Sequence, residues 1–318
     1  MVFDAHSDIW SDVTVRRLAG ETGVFRRRHL ARMKKGGVEG SMFVIWVDPP
    51  YDRDYPARTK QIMDAAAAEI AECRELRIVH SCGEMARAEA DGVFYVFLGI
   101  EGMAAMGKDL TMIDRYYDFG CRHAILTWNE ANALGAGALS GQDYGLTALG
   151  KTAVRRMQDK GMLLDVSHLN EAGFWDLAKV TEKPFIASHS NARALCNVPR
   201  NLTDDQLRAI RDVGGVVGLN AFSCFIDGDP AKRTVARLAE HAAHMIDLMG
   251  IDCVGCGFDF CEFLEDRETA DRPSTAGLED CSQIPNLFAC FEKMGMTPAE
   301  REKIARLNFQ RVIQATVG

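Results

Sequence analysis

Residues 161–168 read Gly-Met-Leu-Leu-Asp-Val-Ser-His, and residues 183–190 read Lys-Pro-Phe-Ile-Ala-Ser-His-Ser. Each is a short apolar run bounded by Gly or Pro and closed by a histidine, His168 in the first and His189 in the second. Runs of that length and punctuation predict buried parallel strands. Between them, Ala172, Trp175, Leu177, Ala178 and Val180 supply one apolar covering face for a helix. The whole is a βαβ unit. Its right-handed crossover makes the strands parallel and brings both histidines to their C-terminal ends, where α/β barrels keep their active sites. One such histidine is more often a hydrogen-bonded core residue than a ligand, and two at equivalent strand ends bring the readings level. Two converging imidazoles suggest a metal site, and the other strand ends decide between the readings.

Working outward, apolar runs predict further strands at 1–8, 40–47, 93–101, 123–129, 214–222 and 253–260, with a short peripheral strand and turn within 77–92. Helical patterns separate them, including 57–76, 109–119, 148–160 and 230–249. Thr203 followed by Gln206 reads as a capping box opening another. A loop is expected over 262–282, then two closing helices. Eight buried strands alternating with helices predict a single (β/α)8 TIM barrel over residues 1–318.

The strand ends carry chemistry. His6 and Asp8 are two apart, so extended backbone would point both to one face. Glu101 closes eight residues without a charge, and a buried carboxylate there needs a cation. Trp128 and Asn129 end the 123–129 run and face the site, while His123 begins it and is assigned no chemistry. Asp259 ends the last strand. His241 and His244 share a face of the 230–249 helix, outside the barrel, and read as structural.

Composition excludes several classes. The net charge is −8, and no basic cluster exists beyond Arg26, Arg27 and Arg28, which argues against nucleic acid. No run approaches the ~18 apolar residues a membrane span needs. Asp4, His6 and Asp8 interrupt any signal-peptide core. Ten cysteines are then expected to be reduced in a cytoplasmic protein, with Cys253 and Cys256 as core thiols rather than a zinc ribbon or redox pair.

Three imidazoles with the carboxylates suit one or two zinc ions. Two ions need a bridging carboxylate, and Glu101 stands between the other ligands around the barrel. A metal-bridging hydroxide would be the nucleophile, leaving Asp259 free to take and return a proton.

At this point the chain resembles the membrane (renal) dipeptidase family of zinc metallopeptidases, within the amidohydrolase-like barrels. The carriers are the segments around Asp4, His6 and Asp8; Gly99 and Glu101; Gly145 and Thr147; Leu164 and His168; Ala187, His189 and Arg193; Pro199, Arg200 and Asn201; and Gly255 and Asp259. The resemblance implies that His6 and Asp8 bind one zinc, His168 and His189 the other, and Glu101 bridges them. It further implies that Arg200 grips a dipeptide's C-terminal carboxylate, that Asp259 carries the proton and meets the substrate amine, and that the protein is a homodimer. Two departures stand out. Trp128 occupies a position where many members have histidine, and Cys261 and Glu262 replace an Asp and Gly after the Asp259 position. Trp128 is expected to pack as an apolar pocket wall. The readings carried forward are a dinuclear zinc dipeptidase, another amidohydrolase cleaving lactones or cyclic amides, and a metal-binding homologue without turnover.

Overall fold

The computed structural model describes residues 1–264 and 274–318; the expected loop at 262–282 lies partly outside them. Eight strands follow in chain order: β1 Val2–Ser7, β2 Val38–Trp46, β3 Leu76–Val79, β4 Phe94–Glu101, β5 His123–Ile125, β6 Leu163–Asp165, β7 Val217–Leu219 and β8 Val254–Cys256. All pairs are parallel. The longest, β2 and β4, are almost wholly buried, as strands covered on both faces must be, and apolar runs fill residues 42–46 of the first and 94–100 of the second.

One sheet runs β1-β2-β4-β5-β6. The peripheral strand β3 shares an edge of β4 with β5: β3 pairs residues 94–97 and β5 pairs 99–101. Register brings Trp46, Glu101, Ile125 and Asp165 level at the C-terminal ends. Strands β7 and β8 form a second pair. Single parallel bridges from Asp165 to Ile186 and from Ala187 to Val217 connect the two. On the other side, the Phe258 amide donates to Asp4 Oδ1 at 2.9 Å, fastening the end of β8 to β1. The architecture is an α/β fold with a curled parallel sheet.

The run at 183–190 is thus two isolated bridges rather than a strand. Side chains take the amides a ladder would use: Ser188 donates to Asp165 Oδ1 and His189 to Ser167 Oγ. The backbone is also crowded, because a Cβ on Gly257 would lie 1.6 Å from Ser188 O. Likewise β5 stops at Ile125, so Trp128 and Asn129 lie beyond the strand on irregular backbone.

The expected helices cover the sheet, among them Tyr55–Glu72, Ala148–Asp159, Glu171–Val180 and Val235–Met249. The capping box of Thr203 and Gln206 opens Asp204–Asp212. Beneath the strand ends, Phe3, Met42, Tyr95, Phe97 and Phe309 form a buried cluster, with Phe3 stacked on Tyr95 at 5.9 Å. Among the described residues, no helix is long and apolar enough to cross a membrane.

Candidate metal centre and active site

The strand ends bring together His6, Asp8, Glu101, His168, His189 and Asp259. Glu101, 2 % exposed, lies between the others. Its Oε2 is 3.4 Å from His6 Nε2, while its Oε1 is 2.7 Å from His168 Nε2 and 3.5 Å from His189 Nε2. His6 Nε2 also lies 3.6 Å from Asp8 Oδ2 and 4.0 Å from Asp259 Oδ1. The residue pair His6 and Asp8 converges by a route that strand periodicity does not supply. From Asp4 to Ser7, β1 advances three residues while its partners on β2, Ser41 and Phe43, are two apart. That extra residue is a bulge beside His6, a device that re-aims side chains. Asp8 then sits past the strand, at the N-cap of the helix Ile9–Leu18.

Each imidazole of the βαβ unit is oriented through Nδ1. His168 Nδ1 lies 3.0 Å from Asn129 Oδ1, and since that oxygen only accepts, the ring donates from Nδ1 and leaves Nε2 bare. His189 Nδ1 is 2.8 Å from Ser188 Oγ. Such outer contacts fix the tautomer and aim of metal-binding histidines. Asn129, which the sequence reading directs at substrate, thus has its side-chain oxygen on His168.

The donor set fits cations. Buried His6 Nε2, Asp8 Oδ1, Glu101 Oε1 and His189 Nε2 have no hydrogen-bond partner among the described residues. Groups so placed cost several kcal/mol unless a charge compensates them. His6, Glu101 and His189 form one candidate ligand group, and His6, Asp8 and Asp259 another. Two ligand atoms on one tetrahedral zinc stand about 3.4 Å apart, close to the His6–Glu101, His189–Glu101 and His6–Asp8 separations of 3.4, 3.5 and 3.6 Å.

The electrostatics show the same need. Burial pushes the Glu101 carboxyl up to about 8, although His6 beside it pulls the other way. Burial raises Asp259 to about 6, again against His6. Burial opposes charge on His6, but Glu101 and Asp8 outweigh it and hold that imidazole well above its ordinary value. His168 and His189 are driven well below theirs by burial, then by Arg200 and His6 for the first and His6 and Arg200 for the second. Neutral imidazoles are the ligand form.

Asp259 Oδ2 accepts from Asn220 Nδ2 at 3.1 Å. Asn220 is a site residue the sequence reading missed; the signal was a lone amide closing the apolar run 216–219. Arg200, 3 % exposed, reaches only His189 O, at 3.5 Å, and its Nε has no partner among the described residues. Its guanidinium carbon lies 5.4 Å above the Phe225 ring. Trp128 is half-buried, 5.3 Å from Trp46 and 6.2 Å from His168, and packs with Cys261 and Phe263 against a small cluster of Val44, Trp46 and Leu264. Away from the centre, His244 pairs with Asp204 at 2.9 Å and His241 bonds to Ile226 O at 2.8 Å.

A family model described as membrane dipeptidase (Peptidase family M19) matches residues 1–317. The uncharacterized dipeptidase C965.12 of Schizosaccharomyces pombe is 30% identical over 314 residues, covering 93% of this chain and 74% of that protein. The crystal structure of the dipeptidase AC, a metallopeptidase of family M19, is similar with a TM-score of 0.88 at 26% identity, over 100% of this chain and 99% of that one. A metallopeptidase from Rhodobacter sphaeroides, liganded with a phosphinate mimic of the dipeptide L-Ala-D-Ala, gives 0.87 at 26% identity and 99% coverage of both chains.

Proposed function

The chain belongs to the membrane dipeptidase family and is a peptide-bond hydrolase, and from that premise we propose that it is a dinuclear zinc dipeptidase acting on free dipeptides. One observation carries the count of two: the Glu101 oxygens face different ligand sets, Oε2 toward His6 and Oε1 toward His168 and His189. His6 and Asp8 would hold one ion and His168 and His189 the other, with Glu101 shared. Nitrogen and carboxylate donors of this kind suit zinc. When bound, the ions supply Lewis acidity that polarises the scissile carbonyl and makes water reactive at neutral pH.

The chain's own groups do the rest. Arg200 is a buried cation with little bonded to it, fit to take the C-terminal carboxylate through charge-assisted bonds. Asp259 shuttles the proton and meets the substrate amine, its carboxylate held by Asn220. Trp128 walls the pocket beside His168, and Asn129 acts at the same rim. The mimic of L-Ala-D-Ala in the similar Rhodobacter protein supports a free dipeptide, including one with a D-residue.

The reading extends to a closed (β/α)8 barrel, supported by the 186–187 bridges and the Asp4–Phe258 bond, forming one domain over 1–318. It also includes a reducing cytoplasm, supported by ten unpaired cysteines, and a homodimer, supported by family resemblance alone. Metal analysis coupled to a panel of L-L, L-D and D-D dipeptides and lactones tests the proposal. About two zinc ions per chain with dipeptide turnover is the expected result. Turnover of lactones or cyclic amides alone would favour that other reaction, and bound metal with no turnover would leave a metal-binding homologue.

A further inference from the structure

A buried pair outside every role so far assigned joins Asp165, level with Glu101, to His123, two residues lower. His123 Nε2 is 2.7 Å from Asp165 Oδ2, and both side chains are fully buried. Room for the imidazole is made by Gly99, where a Cβ would lie 2.3 Å from His123 Nδ1. The other oxygen, Asp165 Oδ1, accepts two backbone amides, Ser167 N at 2.8 Å and Ser188 N at 3.2 Å. These two serines have one thing in common. Each immediately precedes a histidine of the metal centre, His168 or His189. Ser167 then cross-links the two segments, its Oγ accepting from His189 N at 3.3 Å, while Ser188 Oγ meets the ring of its neighbour at His189 Nδ1, 2.8 Å away.

We infer that Asp165, braced by His123, is a positioning residue that sets the spacing between His168 and His189 and so the affinity of the ion they share. The inference rests on the dinuclear reading above. Its physical basis is that backbone pairing of this part of the chain is short, ending at Ile186 on the β6 side and leaving the Ser188 and His189 amides to side-chain acceptors. Residues 186 and 187 make only single bridges, and His168 adopts a left-handed backbone with φ 68°. A strained non-glycine conformation persists only where surrounding contacts over-determine it. One carboxylate oxygen reaching both segments supplies that constraint. His123 fixes the carboxylate's rotation by occupying its second oxygen. Among the described residues neither group hydrogen-bonds to His6 or Asp8, so the effect falls on one ion rather than both.

The test is zinc affinity of each site in Asp165→Asn, read by competition with a chromophoric chelator and compared with wild type. Loss of an outer contact typically weakens metal binding by about 10–100-fold. We expect that loss for one ion, with the other within about twofold and the apo circular dichroism spectrum unchanged. A merely structural role would weaken both sites together or lower apo stability without this selectivity. If Asp165→Asn does not fold, His123→Gln decides. Selective weakening of the same ion, by a smaller factor, supports the inference, and unchanged affinities overturn it. Wild-type protein that binds two ions while a folded Asp165→Asn binds both equally well overturns the positioning role alone. Wild-type protein that binds fewer than two overturns the dinuclear reading, and this inference with it.

Discussion

Replacing Arg200 by methionine separates stability from binding in a way few substitutions do. The guanidinium is 3 % exposed, touches His189 O only at 3.5 Å, and has an Nε without a partner among the described residues. A cation buried with so few contacts is a cost to the free protein of several kcal/mol. A substrate carboxylate would offset that cost, and truncating one partner of such a pair typically loses about 2–5 kcal/mol of binding. At about 1.4 kcal/mol per tenfold, the middle of that range is a few hundredfold. We therefore predict that Arg200→Met raises KM for dipeptides by roughly two orders of magnitude and leaves kcat within a few-fold. Dipeptide amides, lacking the charge, should be cleaved about as before. Thermal unfolding of the metal-free variant should match or exceed wild type, because methionine fills apolar space without a charge to desolvate. Steady-state kinetics on paired acids and amides, together with melting curves, measure all three quantities. Equal losses on acids and amides would remove the carboxylate role. A drop in Tm of several degrees would show that the guanidinium is structural.

Asp259→Asn should depress kcat by about a hundredfold or more with zinc content unchanged, since it removes the proposed proton carrier and none of the five residues proposed to hold the ions; near-normal turnover would exclude that role, and lost zinc would make Asp259 a ligand beside His6 and Asp8. Trp128→Phe should keep kcat within about tenfold, below the 10²–10³ that a lost oxyanion donor costs, and Trp128→Ala should admit bulkier dipeptides; a hundredfold loss in Trp128→Phe at constant zinc would make the indole N–H catalytic. Burial pushes His241 down to about 4 from its ordinary 6.5, while its bond to Ile226 O pulls up. A depressed histidine contributes stability that is present above pH 6.5 and lost as pH falls toward 4, at most about 3 kcal/mol. Urea titrations at pH 7 and 4.5 should show that loss reduced in His241→Gln; an identical pH slope in variant and wild type would refute it.

The legible parts of the site share a physical reason. Glu101 stood out because the eight uncharged residues 93–100 end in a carboxylate, and burying that charge demands a partner whatever the fold. His168 and His189 stood out because two apolar runs end alike. His6 and Asp8 were found by a periodicity argument that the backbone does not follow, since a bulge and a helix N-cap bring them together. Bulges leave no mark in an apolar pattern. Asp165 and Asn220 were missed for the opposite reason. Their partners are backbone amides and other polar side chains brought near by folding, such as Ser188 and Asp259, and no local spacing encodes such contacts. The strand at 183–190 was over-read because hydropathy reports burial and not which acceptor takes each amide.

Among the described residues, only His168 and Asp259 combine a side chain with a left-handed backbone, at φ 68° and 57°. Each such residue costs of order 1–3 kcal/mol, so the surrounding bonds have to outweigh that. At His168 the carbonyl accepts from Ala138 N at 2.7 Å, and the next amide, Leu169 N, turns back to Val166 O at 3.1 Å. At Asp259 the preceding residue is held on both sides, Phe258 N by Asp4 Oδ1 and Phe258 O by Ala221 N. The strain therefore falls on one proposed ligand and the proposed proton carrier, both fixed by bonds that exist without substrate. The chain thus places these two groups before any dipeptide arrives, and binding energy need not be spent on ordering them.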